Sequence, residues 1–183
     1  AENCIYAVGG FDSSNYQATV ERWDPRTSSW SSVPSMSSRR SSCGVTAMDG
    51  MLYCIGGNDG TMCMASGERL NLRRNIWEPI SPMQNEGYLV HRANVKEHEH
   101  VHLVIFVTFF FFKLDQHMSR SHNGCLYALG GNDGSSSLNS VETYYSKSNK
   151  WTLSTSMLTR RSSVGAAVLE CLNIEKALLS CKS

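Results

Sequence analysis

The chain has 183 residues, of which 41% are hydrophobic and 18% charged, with 17 Lys and Arg against 16 Asp and Glu. This length and composition are typical of about one globular unit with an apolar core. The formal net charge of +1 argues against a basic nucleic-acid arm or a basic helix on a membrane surface. The longest apolar run, residues 103–112, is too short for a membrane span, which needs about 20 residues.

The cysteines predict a reducing compartment. There are 7 of them, none in a C-x-x-C pair, and several lie in apolar runs such as Cys4-Ile5-Tyr6 and Tyr53-Cys54-Ile55. This pattern is typical of buried free thiols and not of a structural zinc site, which needs closely spaced thiolates. The first residues show no signal-peptide pattern. We therefore expect a cytoplasmic protein.

Three glycine doublets mark an internal repeat, and each of them ends a short apolar stretch. A glutamate follows the second glycine by 11 residues, a tryptophan follows it by 20, and a methionine follows the tryptophan by six. The four markers are, in chain order, Gly9-Gly10, Glu21, Trp30 and Met36; Gly56-Gly57, Glu68, Trp77 and Met83; and Gly130-Gly131, Glu142, Trp151 and Met157. One register held in three copies shows that the chain is built from repeated units.

Each unit contains four short apolar segments. In the second unit they are segment A (44–48), segment B (51–55), segment C (68–72) and segment D around Trp77, and the turn Asn58-Asp59-Gly60 separates B from C. Four strands in about 40–50 residues is the period of a β-propeller blade. The sequence therefore predicts an all-β fold, a partial propeller of about three four-stranded antiparallel blades in which the repeated tryptophan packs between neighbours.

The predicted divisions are a repeat at 1–47, a repeat at 48–83, an anomalous insertion at 84–123, a repeat with a closing strand at 124–170, and a tail at 171–183. The insertion replaces the connection 37–49, and Phe109–Phe112 would be encoded by a pyrimidine-rich tract like those that precede the downstream end of introns. We hypothesise that 84–123 is largely translated intron or a gene-model error. The alternative is a true insertion in which Val101–Val107 takes the place of segment A.

All 6 histidines lie in this insertion. His98, His100 and His102 alternate, so on a strand they would share one face and could bind a metal ion. The repeats supply no histidine, and Glu97 and Glu99 would face the other way. We therefore predict no metal site and no cofactor.

The repeat units resemble the kelch-repeat propellers. The matching elements are the glycine doublet after Tyr6-Ala7-Val8, the segment Val20–Pro25, the spaced Trp30, and Pro34-Ser35-Met36 leading to Arg39-Arg40. The amino-acid sequence of the repeats is most similar to the C-terminal kelch domain of BTB–kelch (kelch-like) adaptors, in particular the actinfilin branch.

The resemblance implies a fragment of a six-bladed ring and a cytoplasmic, cytoskeleton-associated module. Such a module binds a substrate protein for a cullin-RING E3 ubiquitin ligase or, alternatively, actin as a scaffold. The cullin contact of such adaptors belongs to an N-terminal BTB region, which the 183 residues do not include.

The predicted binding site lies at one end of the blades. The chain reverses at each antiparallel turn, so the B–C and D–A loops emerge together. Arginines among aromatic, amide and hydroxyl groups suit an acidic peptide. The predicted partner-binding residues are Phe11, Tyr16, Thr19, Arg39, Arg40, Asn58, Ser66, Asn132, Ser137, Ser140, Arg160 and Arg161. The alternative is that one arginine of each pair braces a repeated glutamate within or between blades.

Catalysis is not expected. The chain contains no P-loop, no G-x-G-x-x-G and no Ser-His-Asp pattern, and the glycine doublets lead into turns and not into helix N-termini. A metal-dependent enzyme is the remote alternative. The sequence therefore predicts a protein-binding module with no nucleic-acid or membrane partner.

Overall fold

The computed structural model describes residues 4–84, 91–96 and 124–162. Within them the chain forms strands joined by turns and loops. The strands are β1 (Ile5–Val8), β2 (Val20–Asp24), β3 (Ser29–Val33), β4 (Gly44–Met48), β5 (Met51–Ile55), β6 (Gly67–Asn71), β7 (Ile76–Ile80), β8 (His91–Lys96), β9 (Gly124–Leu129), β10 (Val141–Tyr145) and β11 (Lys150–Ser154).

The strands form three antiparallel sheets. The first has the order β1-β2-β3, the second β4-β5-β6-β7 and the third β8-β9-β10-β11. Each strand pairs with its neighbours along the chain, so every sheet is a simple meander. Segments A to D of the second unit are β4 to β7, which confirms the predicted all-β fold of four-stranded units.

Tight turns reverse the direction of the chain between neighbouring strands. The β4–β5 hairpin turns through Asp49 and Gly50, both with positive φ (50° and 72°), as a two-residue hairpin requires. Ser28, Asn75 and Asn149 also have positive φ, at the same position in the three turns between segments C and D. Asparagine tolerates this left-handed conformation better than most residues, which explains its use in two of the three turns.

The core lies between the sheets. Side chains of a strand alternate between its two faces. Cys54 of β5 accordingly packs with Val20 and Met36 on the side of the first sheet. Its neighbours Tyr53 and Ile55 pack in a cluster with four residues of the third sheet, Leu126, Ala128, Tyr144 and Trp151. The fold is therefore a row of blades held together by the apolar layers between them.

Part of the predicted insertion 84–123 forms a strand of the third sheet. Strand β8 begins eight residues after Met83, as β4 begins eight residues after Met36, and β8 pairs with β9 from His91↔Leu129 to Lys96↔Gly124. Residues 91–96 therefore occupy the place of segment A in the third sheet. The extra residues lie at 97–123, between β8 and β9.

The blade boundaries also differ from the predicted divisions. The boundary between 47 and 48 falls inside β4, whose hydrogen bonds place it in the second sheet. The reason is that the sequence repeat was counted from glycine landmarks, whereas a blade is defined by strand pairing. Several predictions fall outside the described residues: the closing strand near Leu169, the tail 171–183, Val101–Val107 and the histidines at 98, 100 and 102.

Candidate protein-binding face

The B–C and D–A loops of the described blades are hydrogen-bonded to one another. The amide of Gly10 donates to the carbonyl of Arg40 at 2.8 Å, and the amide of Arg40 donates to the carbonyl of Gln17 at 2.9 Å. Ser41 and Asn58 exchange two backbone hydrogen bonds of 2.8 and 2.9 Å. One D–A loop therefore joins the B–C loops of two successive blades. We call residues 9–19, 34–43, 56–66, 130–140 and 155–162 the loop face.

Arg40 crosses from the first blade into the second. Its side chain is only 1% exposed. Nη1 donates to the carbonyls of Gly56 and Ser66, both at 2.9 Å, while Nη2 donates to Ser66 Oγ at 2.9 Å and to Glu68 Oε1 at 3.2 Å. Glu68 also accepts the amides of Ser37 and Ser38. The carboxylate is thus surrounded by donors from the preceding D–A loop.

This geometry removes two residues from the predicted binding set. Arg40 is buried in an ion pair, and the hydroxyl of Ser66 holds its guanidinium. Neither side chain is available to a partner. The alternative reading, in which one arginine of a pair braces a repeated glutamate between blades, describes Arg40. Its neighbour Arg39 is exposed.

The tips of the B–C loops are built around aspartates. Asp59 Oδ1 accepts the amides of Thr61 and Met62 at 2.8 and 3.0 Å, and Asp133 Oδ1 accepts those of Ser135 and Ser136 at 2.8 and 2.7 Å. The hydroxyl of Thr61 also donates to Asp59, and that of Ser135 donates to Asp133. Together these hydrogen bonds lower the pKa of both aspartates to about 2. The carboxylates are therefore ionised and engaged by their own turns.

The predicted asparagines take part in the same turns. Asn58 Oδ1 accepts the amide of Gly60 at 2.7 Å, and Asn132 Oδ1 accepts the amide of Gly134 at 2.8 Å. Both side chains are half-buried. The carbonyl oxygens of the two amides stabilise the loops, as is typical of asparagine in turns, so their first role here is structural.

An aromatic pair covers the first B–C loop. Phe11 is 53% exposed, and its ring centroid lies 4.9 Å from that of Tyr16 at an interplanar angle of 50°. Tyr16 also lies against Gly60 of the next B–C loop, because a Cβ added at Gly60 would approach the Tyr16 ring to 2.7 Å. The pair therefore presents an apolar surface at the junction of two blades.

The remaining predicted residues divide by exposure. Thr19, Arg39, Arg160 and Arg161 are exposed, whereas Ser137 and Ser140 are half-buried. Arg160 Nη1 lies 3.4 Å from the carbonyl of Ser137 and 3.5 Å from Ser136 Oγ, so its guanidinium rests on the third B–C loop. The loop face thus brings exposed arginines onto the same surface as Phe11.

Met62 belongs to this surface and was missed by the sequence reasoning. Its side chain is 64% exposed at the tip of the second B–C loop. The available signal was its place two residues after the turn Asn58–Gly60, in a loop that continues to the start of β6 at Gly67. Exposed methionine and aromatic side chains are typical of protein interfaces.

The comparison with known proteins decides the family. The model of the kelch motif matches residues 1–37, 39–84 and 119–158, which include every described strand except β8. The chain belongs to the kelch-repeat family. It is also 42% identical to human Kelch-like protein 4 over 48 residues, which are 26% of this chain and 7% of that protein. The chain therefore spans only a small part of that relative.

The three sheets are thus kelch blades, and the chain is a protein-binding propeller module of a family that is generally not catalytic. Among residues 4–84, 91–96 and 124–162, no group of three or more His, Cys, Asp or Glu is arranged to hold a metal ion. In the same ranges no helix is long and apolar enough to cross a membrane. The five described cysteines form no disulfide bond, and Cys54 and Cys125 are buried.

Proposed function

We propose that this kelch module recognises an acidic segment of a partner protein through its loop face, on behalf of a cullin-RING ubiquitin ligase in the cytoplasm, with no catalysis of its own. The observation that carries the proposal is the combination on one surface of the exposed apolar side chains of Phe11 and Met62 with the exposed guanidinium groups of Arg39 and Arg160. Aromatic, methionine and arginine side chains are the usual anchors of protein interfaces.

The preference for an acidic segment follows from which charged groups have free bonding capacity. The carboxylates of Asp59 and Asp133 accept hydrogen bonds from their own turns. Arg39 and Arg160 are instead exposed, although Nη1 of Arg160 also contacts its own B–C loop, and a guanidinium binds a carboxylate in a bidentate geometry. The loop face therefore offers more unused donors to anions than acceptors to cations.

The ligase assignment rests on the resemblance to BTB–kelch adaptors and on the similarity to Kelch-like protein 4. In such adaptors the propeller binds the substrate and a separate BTB region binds the cullin. An actin-binding scaffold would use the same fold without a ligase. The two functions are separated with the full-length gene product, since an adaptor captures a cullin scaffold in a pull-down, and an actin scaffold instead co-sediments with filamentous actin.

Peptide binding tests the recognition step. A peptide rich in Asp and Glu and its matched Asn and Gln version are labelled, and binding to the 183-residue chain is followed by fluorescence anisotropy. We expect only the acidic peptide to bind, and Arg39→Ala and Arg160→Ala each to weaken binding by about tenfold. Arg73→Ala is the control, because Arg73 is exposed in the turn between β6 and β7, at the opposite end of the blade. Equal binding of both peptides, or an equal loss with Arg73→Ala, would contradict the proposal.

A further inference from the structure

Two cysteine side chains lie together where the first blade meets the second. Cys54, in β5, is buried, and Cys43, which immediately precedes β4, is half-buried. Both side chains pack in the apolar cluster that contains Val20 and Met36. Cys43 Sγ also lies 4.0 Å from the carbonyl oxygen of Val8 in β1. The two thiols are therefore part of the layer between the first sheet and the second.

The register of the second sheet places the two thiols on the same face. Val45 of β4 pairs with Cys54 of β5, and Cys43 comes two residues before Val45. Since the side chains of a strand alternate between its faces, Cys43 and Cys54 are diagonal neighbours on the face turned toward the first sheet. The two thiols are hydrogen-bonded to each other. A disulfide between them therefore requires neither side chain to change face.

The repeat does not require sulfur at either position. Ala7 and Ala128 stand in the place of Cys54 in the first and third units, each directly after a tyrosine. Val164 stands in the place of Cys43, three residues after the second arginine of its pair. Alanine and valine thus fill these positions elsewhere in the chain. Blade packing alone does not account for a pair of thiols in the second unit.

The surroundings make the two thiols chemically different. The hydrogen bond with Cys54 lowers the pKa of Cys43, and the guanidinium of Arg40 acts in the same direction against the effect of burial. The pKa of Cys54 is raised by the same hydrogen bond and by burial. The thiolate is the nucleophilic form of cysteine, and Cys43 is the more exposed of the two residues. Cys43 is therefore the thiol that a small oxidant in solution meets first.

We propose that Cys43 and Cys54 form a redox site, which closes to a reversible disulfide when the chain meets a hydroperoxide. The Cys43 thiolate attacks one peroxide oxygen, the O–O bond breaks, and the products are a sulfenic acid and an alcohol, or water when the oxidant is hydrogen peroxide. The sulfur of Cys54 then attacks the sulfenic sulfur. The S–S bond forms, the S–O bond breaks, and the hydroxide leaves with the proton of Cys54 as water. Two electrons pass from the thiols to the hydroperoxide, and a dithiol reductant reverses the reaction by exchange.

The disulfide ties a D–A loop to β5. Cys43 is the last residue of the loop-face segment 34–43, which also contains Arg39 and Arg40. Oxidation therefore acts on the segment that supplies an exposed guanidinium to the loop face and a buried ion pair to the junction between blades. Formation of the disulfide is independent of whether the loop face binds an acidic peptide, so the two proposals fail separately.

Peptide mapping by mass spectrometry tests the site. The folded 183-residue chain is treated with hydrogen peroxide, its remaining thiols are alkylated, and the digest is analysed without reduction. We expect a mass loss of about 2 Da and a cross-linked peptide that contains Cys43 and Cys54 and disappears with dithiothreitol. Cys43→Val and Cys54→Ala, which introduce the residues of the other repeats, should each abolish this peptide. Cys63→Ser is the matched control, because Cys63 is also half-buried but its sulfur lies 3.8 Å from the amide nitrogen of Asn58. That variant should keep the cross-link.

A probe for sulfenic acid separates the roles of the two thiols. In Cys54→Ala the sulfenic acid of Cys43 has no thiol to resolve it, so dimedone should label Cys43 about tenfold more than in the wild-type chain. In Cys43→Val we expect no labelling of Cys54. Absence of the cross-link from the oxidised wild-type chain would overturn the proposal. A cross-link between other cysteines, or one between Cys43 and Cys54 that forms only after unfolding in urea, would overturn it as well.

Discussion

Arg40 Nη2 lies 3.2 Å from Glu68 Oε1, and this buried ion pair links the first kelch blade to the second. The arginine comes from a D–A loop and the glutamate from β6, so the pair connects segments 28 residues apart. Adjacent in the sequence, Arg39 is exposed on the loop face. The two neighbouring arginines therefore serve different purposes, one in stability and the other in the candidate binding surface.

Replacing Arg40 should destabilise the fold far more than replacing Arg39. Arg40→Ala leaves the carboxylate of Glu68 buried without its counter-ion, a change that typically costs about 3–5 kcal/mol. Arg39→Ala, at an exposed position, should change the free energy of unfolding by less than about 0.5 kcal/mol. Urea unfolding of the two variants measures both values. Similar losses for the two variants would contradict the bracing role of Arg40.

The difference between Arg39 and Arg40 could not be predicted from the sequence. The repeat established the blades, the turns and the end of the blade at which the loops gather. Which arginine turns inward depends on the backbone of the D–A loop, which is held by hydrogen bonds to Gly10, Gln17 and Asn58 in two different blades. These contacts are distant in sequence, so local pattern does not specify the orientation.

Gly9 should tolerate no side chain. Its φ of 61° is left-handed, and a Cβ at this position would collide with the carbonyl oxygen of Arg40. Gly9→Ala should therefore reduce the free energy of unfolding by about 3 kcal/mol, since steric overlap adds to the left-handed strain. Gly50→Ala is the matched control, because Gly50 has a φ of 72° and open space around its Cβ position. That variant should lose only about 1 kcal/mol.

Lowering the pH should remove the stabilisation that Asp59 and Asp133 give to the B–C loops. The pKa of Asp59 and Asp133 is lowered from 3.8 to about 2 in the folded chain by hydrogen bonds from the turns. Each carboxylate has a lower pKa in the folded chain than in the unfolded chain, so its ionised form stabilises the fold above about pH 4. This stabilisation is lost as the pH falls toward 2. The double variant Asp59→Asn, Asp133→Asn should show a flatter dependence of the unfolding midpoint between about pH 5 and pH 2. An unchanged profile would mean that the turns do not depend on these carboxylates.

Met62 should contribute to binding without contributing to stability. Its side chain is 64% exposed on the loop face, so Met62→Ser should weaken acidic-peptide binding by about tenfold while unfolding is unchanged. Ile76→Ser provides the control, because Ile76 is 47% exposed at the start of β7, away from the loop face. If both variants bind equally to the wild-type chain, Met62 is not part of the interface.

The place of β8 in the repeat could have been predicted from the sequence. Met36 and Met83 each precede a strand by eight residues, so the register of the repeat continues through His91–Lys96. The unusual composition after Met83 concealed this, because β8 shares no sequence motif with β4. Hydrogen bonding in a sheet is made by the backbone, and a strand in this place needs the right spacing more than it needs particular side chains.

Hydrogen exchange on the peptide complex tests the central claim, that the loop face binds the partner. Amide exchange of the 183-residue chain is measured by mass spectrometry with and without the acidic peptide. We predict protection at residues 9–19, 34–43 and 56–66, with no change in the turns at 25–28 and 72–75 between segments C and D. Protection confined to those opposite turns would contradict the proposed binding face.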